Sequence, residues 1–151
     1  DVMFAQMMVP HHVQAVEMSD VILAKDGIDP RVITLAEEIK AAQQPEIDAL
    51  NGMLKSWGMP QASTDGMAMD HGGSMDGMMT EEDMAALDAA TGTEASRLFL
   101  EQMIVHHEGA VEMAQIEVDS GTNPDAVAMA QAIIDTQNIE IKTMREILLS
   151  L

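Results

Sequence analysis

Two stretches decide the fold. Phe4-Ala5-Gln6-Met7-Met8-Val9-Pro10-His11-His12-Val13-Gln14-Ala15-Val16-Glu17-Met18 is echoed by Phe99-Leu100-Glu101-Gln102-Met103-Ile104-Val105-His106-His107-Glu108-Gly109-Ala110-Val111-Glu112-Met113. The Phe, the Met, the His-His pair and the Ala-Val-Glu-Met run recur at a constant offset of 95 (106 − 11). Past the next turn the offset is 94. Gly27 and Pro30 then meet Gly121 and Pro124, while Gln43, Glu46 and Ile47 meet Gln137, Glu140 and Ile141. Self-similarity over this length marks one structural unit written twice.

Working outward, each unit reads as helix, turn, helix. Apolar residues recur at spacings of three and four, and no stretch sustains the period-two alternation of a strand. The first helices end at Lys25-Asp26-Gly27-Ile28-Asp29-Pro30 and at Ser120-Gly121-Thr122-Asn123-Pro124. Asp29 and Asn123 are expected N-caps, with Pro30 and Pro124 at the first helical position. The following helices are expected to run to about Ser56 and Leu149, with a bend at Pro45. Units 1–57 and 93–151 flank a Met-, Gly- and Ser-rich linker, 58–79, expected to be flexible. A short helix over 80–90 follows, opened by the capping box Thr80-Glu81-Glu82-Asp83. Two helix pairs with apolar faces bury them against each other. The expected fold is all-α, a four-helix bundle forming a single domain over 1–151.

Composition narrows the function. The chain has 151 residues, 47% of them hydrophobic but only 2% aromatic, so aliphatic side chains and sixteen methionines must fill the core. A net charge of −19 with seven Lys and Arg excludes nucleic acid and anionic lipid as natural partners. Cysteine is absent. Thioethers and imidazoles can serve soft metals without forming disulfides, which suits a periplasmic or secreted protein. No signal peptide or membrane span is visible, and Asp1 opens almost directly into a helical pattern, so any signal sequence is expected upstream.

On a helical wheel, Phe4, Met8, His12, Ala15, Val16, Ile22 and Leu23 form an apolar face. His11, Met18 and Met7 lie along its rim, and Gln6, Gln14 and Glu17 point to solvent. The second unit places Met103 and His107 inside, His106 and Met113 at the rim, and Glu101, Glu108 and Glu112 outside. Gln102 stands where the first unit has Met7. Two ligand arrangements are open. Met8, His12, Met103 and His107 could converge on one centre, a soft neutral set suited to Cu(I) or Ag(I). Alternatively each rim could hold its own ion, through His11 with Met18 and Met7, and through His106 with Met113. Packing alone explains a lone Met or buried His; it does not explain two histidines and two methionines recurring together. The linker adds Met59, Met67, Met69, His71, Met75, Met78 and Met79 as a weaker array, against the bland alternative of low-complexity drift.

Catalysis is not expected. There is no Glu-x-x-His for di-iron chemistry, no nucleophile constellation and no nucleotide fingerprint. Zinc would ask for Cys, Asp or Glu beside His, and the motif's own glutamates face outward. The rivals are a b-type haem held between His and Met in an electron-transfer bundle, and a structural helical bundle without metal.

The doubled Phe…Met…His-His…Met motif and the later Gln-x-x-Glu-Ile pairs resemble the bacterial domain-of-unknown-function family 305, small secreted or periplasmic proteins associated with copper. The resemblance covers both units. It implies a ferritin-like four-helix bundle and a role in copper binding or resistance, with Cu(I) first and Ag(I) or Cu(II) as further candidates. The implied ligands are Met8, His11, His12, Met18, Met103, His106, His107 and Met113. The expected partners are the metal ion and another copper protein as donor or acceptor.

Overall fold

In the computed structural model, which describes residues 1–62 and 77–151, five helices and no strands occur among the described residues. They are α1 (Val2–Leu23), α2 (Pro30–Ser56), α3 (Glu81–Ala89), α4 (Gly92–Ser120) and α5 (Pro124–Leu148). The long helices form the bundle. α1 packs on α2, α4 on α5, and the hairpins meet through α1 against α4 and α2 against α5. Among the described residues no helix is long and apolar enough to cross a membrane.

Local chemistry sets the helix starts. The Asp29 carboxylate accepts from the Arg31 amide, and Asn123 Oδ1 accepts from the amides of Asp125 and Ala126. Each satisfies N–H groups that a first helical turn leaves without partners. Thr80 and Asp83 close a full capping box at α3. Pro45 does not interrupt α2, which continues to Ser56.

The two hairpins run antiparallel across the α1–α4 seam. Asp1 accepts from the backbone of Thr122 and Asn123 at the far end of α4. At the other end the Asp29 amide donates to Ser96 near the start of α4. There Gly27, at φ +74, brings the α1–α2 turn close to Gly92, where an added Cβ would lie 3.6 Å from the Gly92 Cα. That backbone conformation favours glycine.

This antiparallel seam divides the core into two apolar clusters. One gathers Met18 and Ile22 of α1, Ile39 of α2, Leu87 of α3, Phe99 and Met103 of α4, and Met144 of α5. The other gathers Phe4 and Met8 of α1, Leu50 of α2, Ala110 and Ala114 of α4, and Ile133 of α5. The break between them falls at buried polar residues on all four long helices: His11 and His12, Gln43, His106 and His107, and Gln137. A polar layer thus crosses the middle of an otherwise apolar bundle.

Candidate metal centre

All four motif histidines are buried. His11 and His106 meet at the α1–α4 seam, their ring centroids 3.8 Å apart and their planes tilted by 42°. His12 and His107 face the other helix of their own hairpins. His12 Nε2 lies 2.7 Å from Glu46 Oε2 on α2, and His107 Nε2 lies 2.7 Å from Glu140 Oε2 on α5. The Nδ1 atoms of His12 and His107 are buried without a hydrogen-bond partner among the described residues.

The division into interior His12 and His107 against rim His11 and His106 is therefore corrected. α1 is flanked by α2, α4 and α3, so more than one of its faces is covered. Two adjacent histidines can both be buried while aiming at different neighbours. Gln14, expected in solvent, also has a partner. Its side chain donates to the Met79 carbonyl and accepts from the Met79 amide, at 2.9 and 2.8 Å.

The methionines fall into two sets around the histidine layer. Met18 and Met103 share one apolar cluster; Met8 lies in the other, with half-buried Met113 packed against it. Met8 and Met103 are thus in different clusters, one on either side of the histidine layer. Antiparallel packing explains this: His11 and His106 meet at the middle of the seam, so Met8 and Met103, each three residues earlier, fall on opposite sides of it. Met7 is half-buried. Its counterpart Gln102 is buried and donates to the Asp83 carbonyl at 2.9 Å, so the second unit uses that position to hold α3.

Of the linker residues, Met59 is exposed, while Met78 and Met79 are half-buried and Met79 packs against the first apolar cluster. Met67, Met69, His71 and Met75 lie outside the described residues. Gly77, at φ +85, runs directly over α4, where an added Cβ would be 2.7 Å from the Val105 carbonyl oxygen and 3.1 Å from that of His106. The chain from Gly77 to Met79 therefore crosses the seam from α4 to α1. This end of the linker, expected to be loose, is docked.

Electrostatically the layer disfavours positive charge on His106. Burial holds His106 well below the ordinary imidazole value of 6.5, and the neighbouring rings of His11, His107 and His12 push the same way. Neutral imidazoles keep lone pairs for a metal. Among the described residues no three His, Cys, Asp or Glu side chains converge as a metal-holding group. What the fold brings together is a histidine pair at the seam, two carboxylate-tethered histidines and a methionine set on either side. This donor set fits a soft ion in its chemistry.

Glu46 and Glu140 were missed from the motif because they lie 34 and 33 residues from their histidines. The signal was present in the repeat, which aligns Glu46 with Glu140 and Gln43 with Gln137.

A helical bundle with a buried histidine layer and flanking thioethers defines the class. The chain belongs to the family described as "Domain of unknown function (DUF305)", whose profile matches residues 1–148. Solved relatives agree with it in fold. A DUF305 protein of Streptomyces coelicolor, named as a candidate secreted protein, is 32% identical with a TM-score of 0.86, covering 97% of this chain and 89% of its own. A DUF305 fragment from Deinococcus radiodurans is also 32% identical, with a TM-score of 0.85 and coverage of 99% and 95%. The protein named CopM, in its Cu(I)-bound form, is 29% identical with a TM-score of 0.81 and coverage of 99% and 96%. CopM has also been solved in Cu(II)-bound, Ag-bound and apo forms. The curated proteins include no match.

Proposed function

We propose that this protein binds Cu(I) at the buried histidine layer, with Ag(I) as its chemical analogue, and serves sequestration or transfer of the ion rather than catalysis. The observation that carries the reading is the layer itself. Four imidazoles and two amides interrupt the core on all four long helices. The Nδ1 atoms of His12 and His107 are buried without a partner among the described residues, a cost of about 1–3 kcal/mol each that apolar residues would avoid. Soft donors flank the layer on both sides, and soft donors select Cu(I) over the harder Cu(II). The Cu(I)-, Cu(II)- and Ag-bound forms of CopM support copper or silver as the ion.

Soft chemistry without cysteine suits a periplasmic or secreted location, as does the naming of the Streptomyces coelicolor relative. A metal carrier of this kind would exchange its ion with another copper protein. The test is Cu(I) titration of the apo-protein against a competing chelator under reducing conditions. Wild type is expected to compete, and His12→Ala with His107→Ala to lose most of that competition. Failure of wild type to compete, or equal competition by the variant, would overturn the reading.

A further inference from the structure

Each imidazole has two nitrogens, and a neutral ring must place its proton on one of them. Glu46 and Glu140 decide which. An ionised carboxylate only accepts hydrogen bonds, so contacts of 2.7 Å place the proton on Nε2 of His12 and of His107. The two Nδ1 atoms are buried and have no partner among the described residues. A proton there would be an orphaned N–H, which folded proteins avoid more strictly than an unused lone pair. Each Nδ1 therefore carries a lone pair.

The arrangement occurs twice, once in each hairpin, with the same atoms at the same distance. Both carboxylates reach towards the surface, with side chains 22% and 12% exposed, while both imidazoles are fully buried. This geometry leaves the carboxylates partly hydrated and brings only the ring into the core. Metal-ligating histidines characteristically donate their other N–H to a carboxylate, which fixes ring orientation and raises the basicity of the ligating nitrogen.

We propose that Glu46 and Glu140 are positioning residues that hold His12 and His107 in the Nε2–H tautomer and so make Nδ1 the donor atom offered to a soft cation. The inference rests on the metal reading above for the identity of the ion. It adds the donor atom and the two residues, outside the His-His motif, that select it.

The test uses the full chain as wild type and as the double variant Glu46→Gln, Glu140→Gln. Glutamine keeps the size and a hydrogen bond to the ring, but its amide can donate as well as accept, so it enforces no single tautomer. Long-range ¹H–¹⁵N spectra of the apo-protein read the tautomer, and Ag(I) titration against a chelator reads affinity. The expected wild-type spectrum has Nε2 protonated and Nδ1 bare on both histidines, with Nδ1 moving on Ag(I) addition. The double variant is expected to show mixed tautomers and about 10–100-fold weaker Ag(I) binding, with its helical signal intact. A purely structural tie would leave Ag(I) affinity unchanged. Protonated Nδ1 in wild type, or wild-type affinity in the variant, overturns the proposal. If the double variant does not fold, the wild-type spectra decide. Failure of wild type to bind Ag(I) would instead overturn the metal reading itself, a separate and recognisable outcome.

Discussion

The His11 and His106 rings face each other across the α1–α4 seam with centroids 3.8 Å apart. They occupy equivalent positions in the two repeats, so the seam places like against like at its middle. Two imidazolium ions could not share this space at acceptable cost: their charges repel, and burial removes the water that would screen them. The contact fits neutral rings, or rings brought together by a cation between their lone pairs. Protonation and packing are thus coupled at one pair.

The pH dependence of the apo-protein follows with a definite sign. His106 titrates well below 6.5 when folded, because of burial and then the His11, His107 and His12 rings. Below 6.5 the unfolded chain takes up this proton before the folded one does. The stability contribution is complete above the unfolded value and is lost as pH falls towards the folded one. Urea unfolding is expected to show a falling midpoint between about pH 7 and pH 5. The fall should be shallower in His106→Leu, and equal slopes in the two proteins would contradict it.

His106→Leu also separates stability from function. It removes a buried imidazole and supplies apolar volume beside clusters already rich in leucine and methionine. Removing a poorly satisfied buried polar group recovers about 1–3 kcal/mol, and a domain of this size shifts by about 2–4 °C per kcal/mol. The apo variant is expected to melt several degrees higher than wild type by calorimetry while losing most of its Cu(I) competition. A lower apo melting temperature would mean that His106 is there for packing.

Much of this architecture is legible in the residue pattern alone. Asp29, Asn123 and the Thr80–Asp83 box are local signals whose chemistry is complete within one turn, and all three form as expected. The bundle follows from two amphipathic hairpins. The direction of each histidine does not. A helical wheel assumes one buried face, whereas α1 touches three other helices, so adjacent His11 and His12 aim at α4 and α2. Glu46 and Glu140 belong to the partner helix of each hairpin, where no spacing rule reaches. The same limit hides Gln14, whose partner Met79 is 65 residues away.

Ligand binding should raise stability by mass action. At free Ag(I) a hundredfold above its dissociation constant, one site adds about 2.7 kcal/mol, which is roughly 5–10 °C at the conversion for this size of domain. The rise should grow with the logarithm of free Ag(I) and disappear on adding a competing chelator. It should be much smaller in the His12→Ala, His107→Ala variant. A melting temperature indifferent to Ag(I) would favour a bundle whose histidines serve structure alone.

Gly77→Ala tests whether the end of the linker is docked as described. An added methyl would meet three backbone groups of α4: the Val105 carbonyl at 2.7 Å, the Gly109 Cα at 3.0 Å and the His106 carbonyl at 3.1 Å. None is the tip of a flexible side chain, so α4 cannot yield without deforming its helix. The φ of +85 adds a backbone penalty of about 1–2 kcal/mol for a non-glycine residue. The substituted segment should therefore lift from the seam and weaken the two hydrogen bonds between Gln14 and Met79. Gln14→Ala removes the same bonds from the other side, and each such bond contributes about 1 kcal/mol. Amide exchange at Met79, whose N–H donates to Gln14, should accelerate about fivefold or more in either variant, with the helical far-UV signal unchanged. Exchange at the wild-type rate in both would show that the Gly77–Met79 crossing is not held by these contacts.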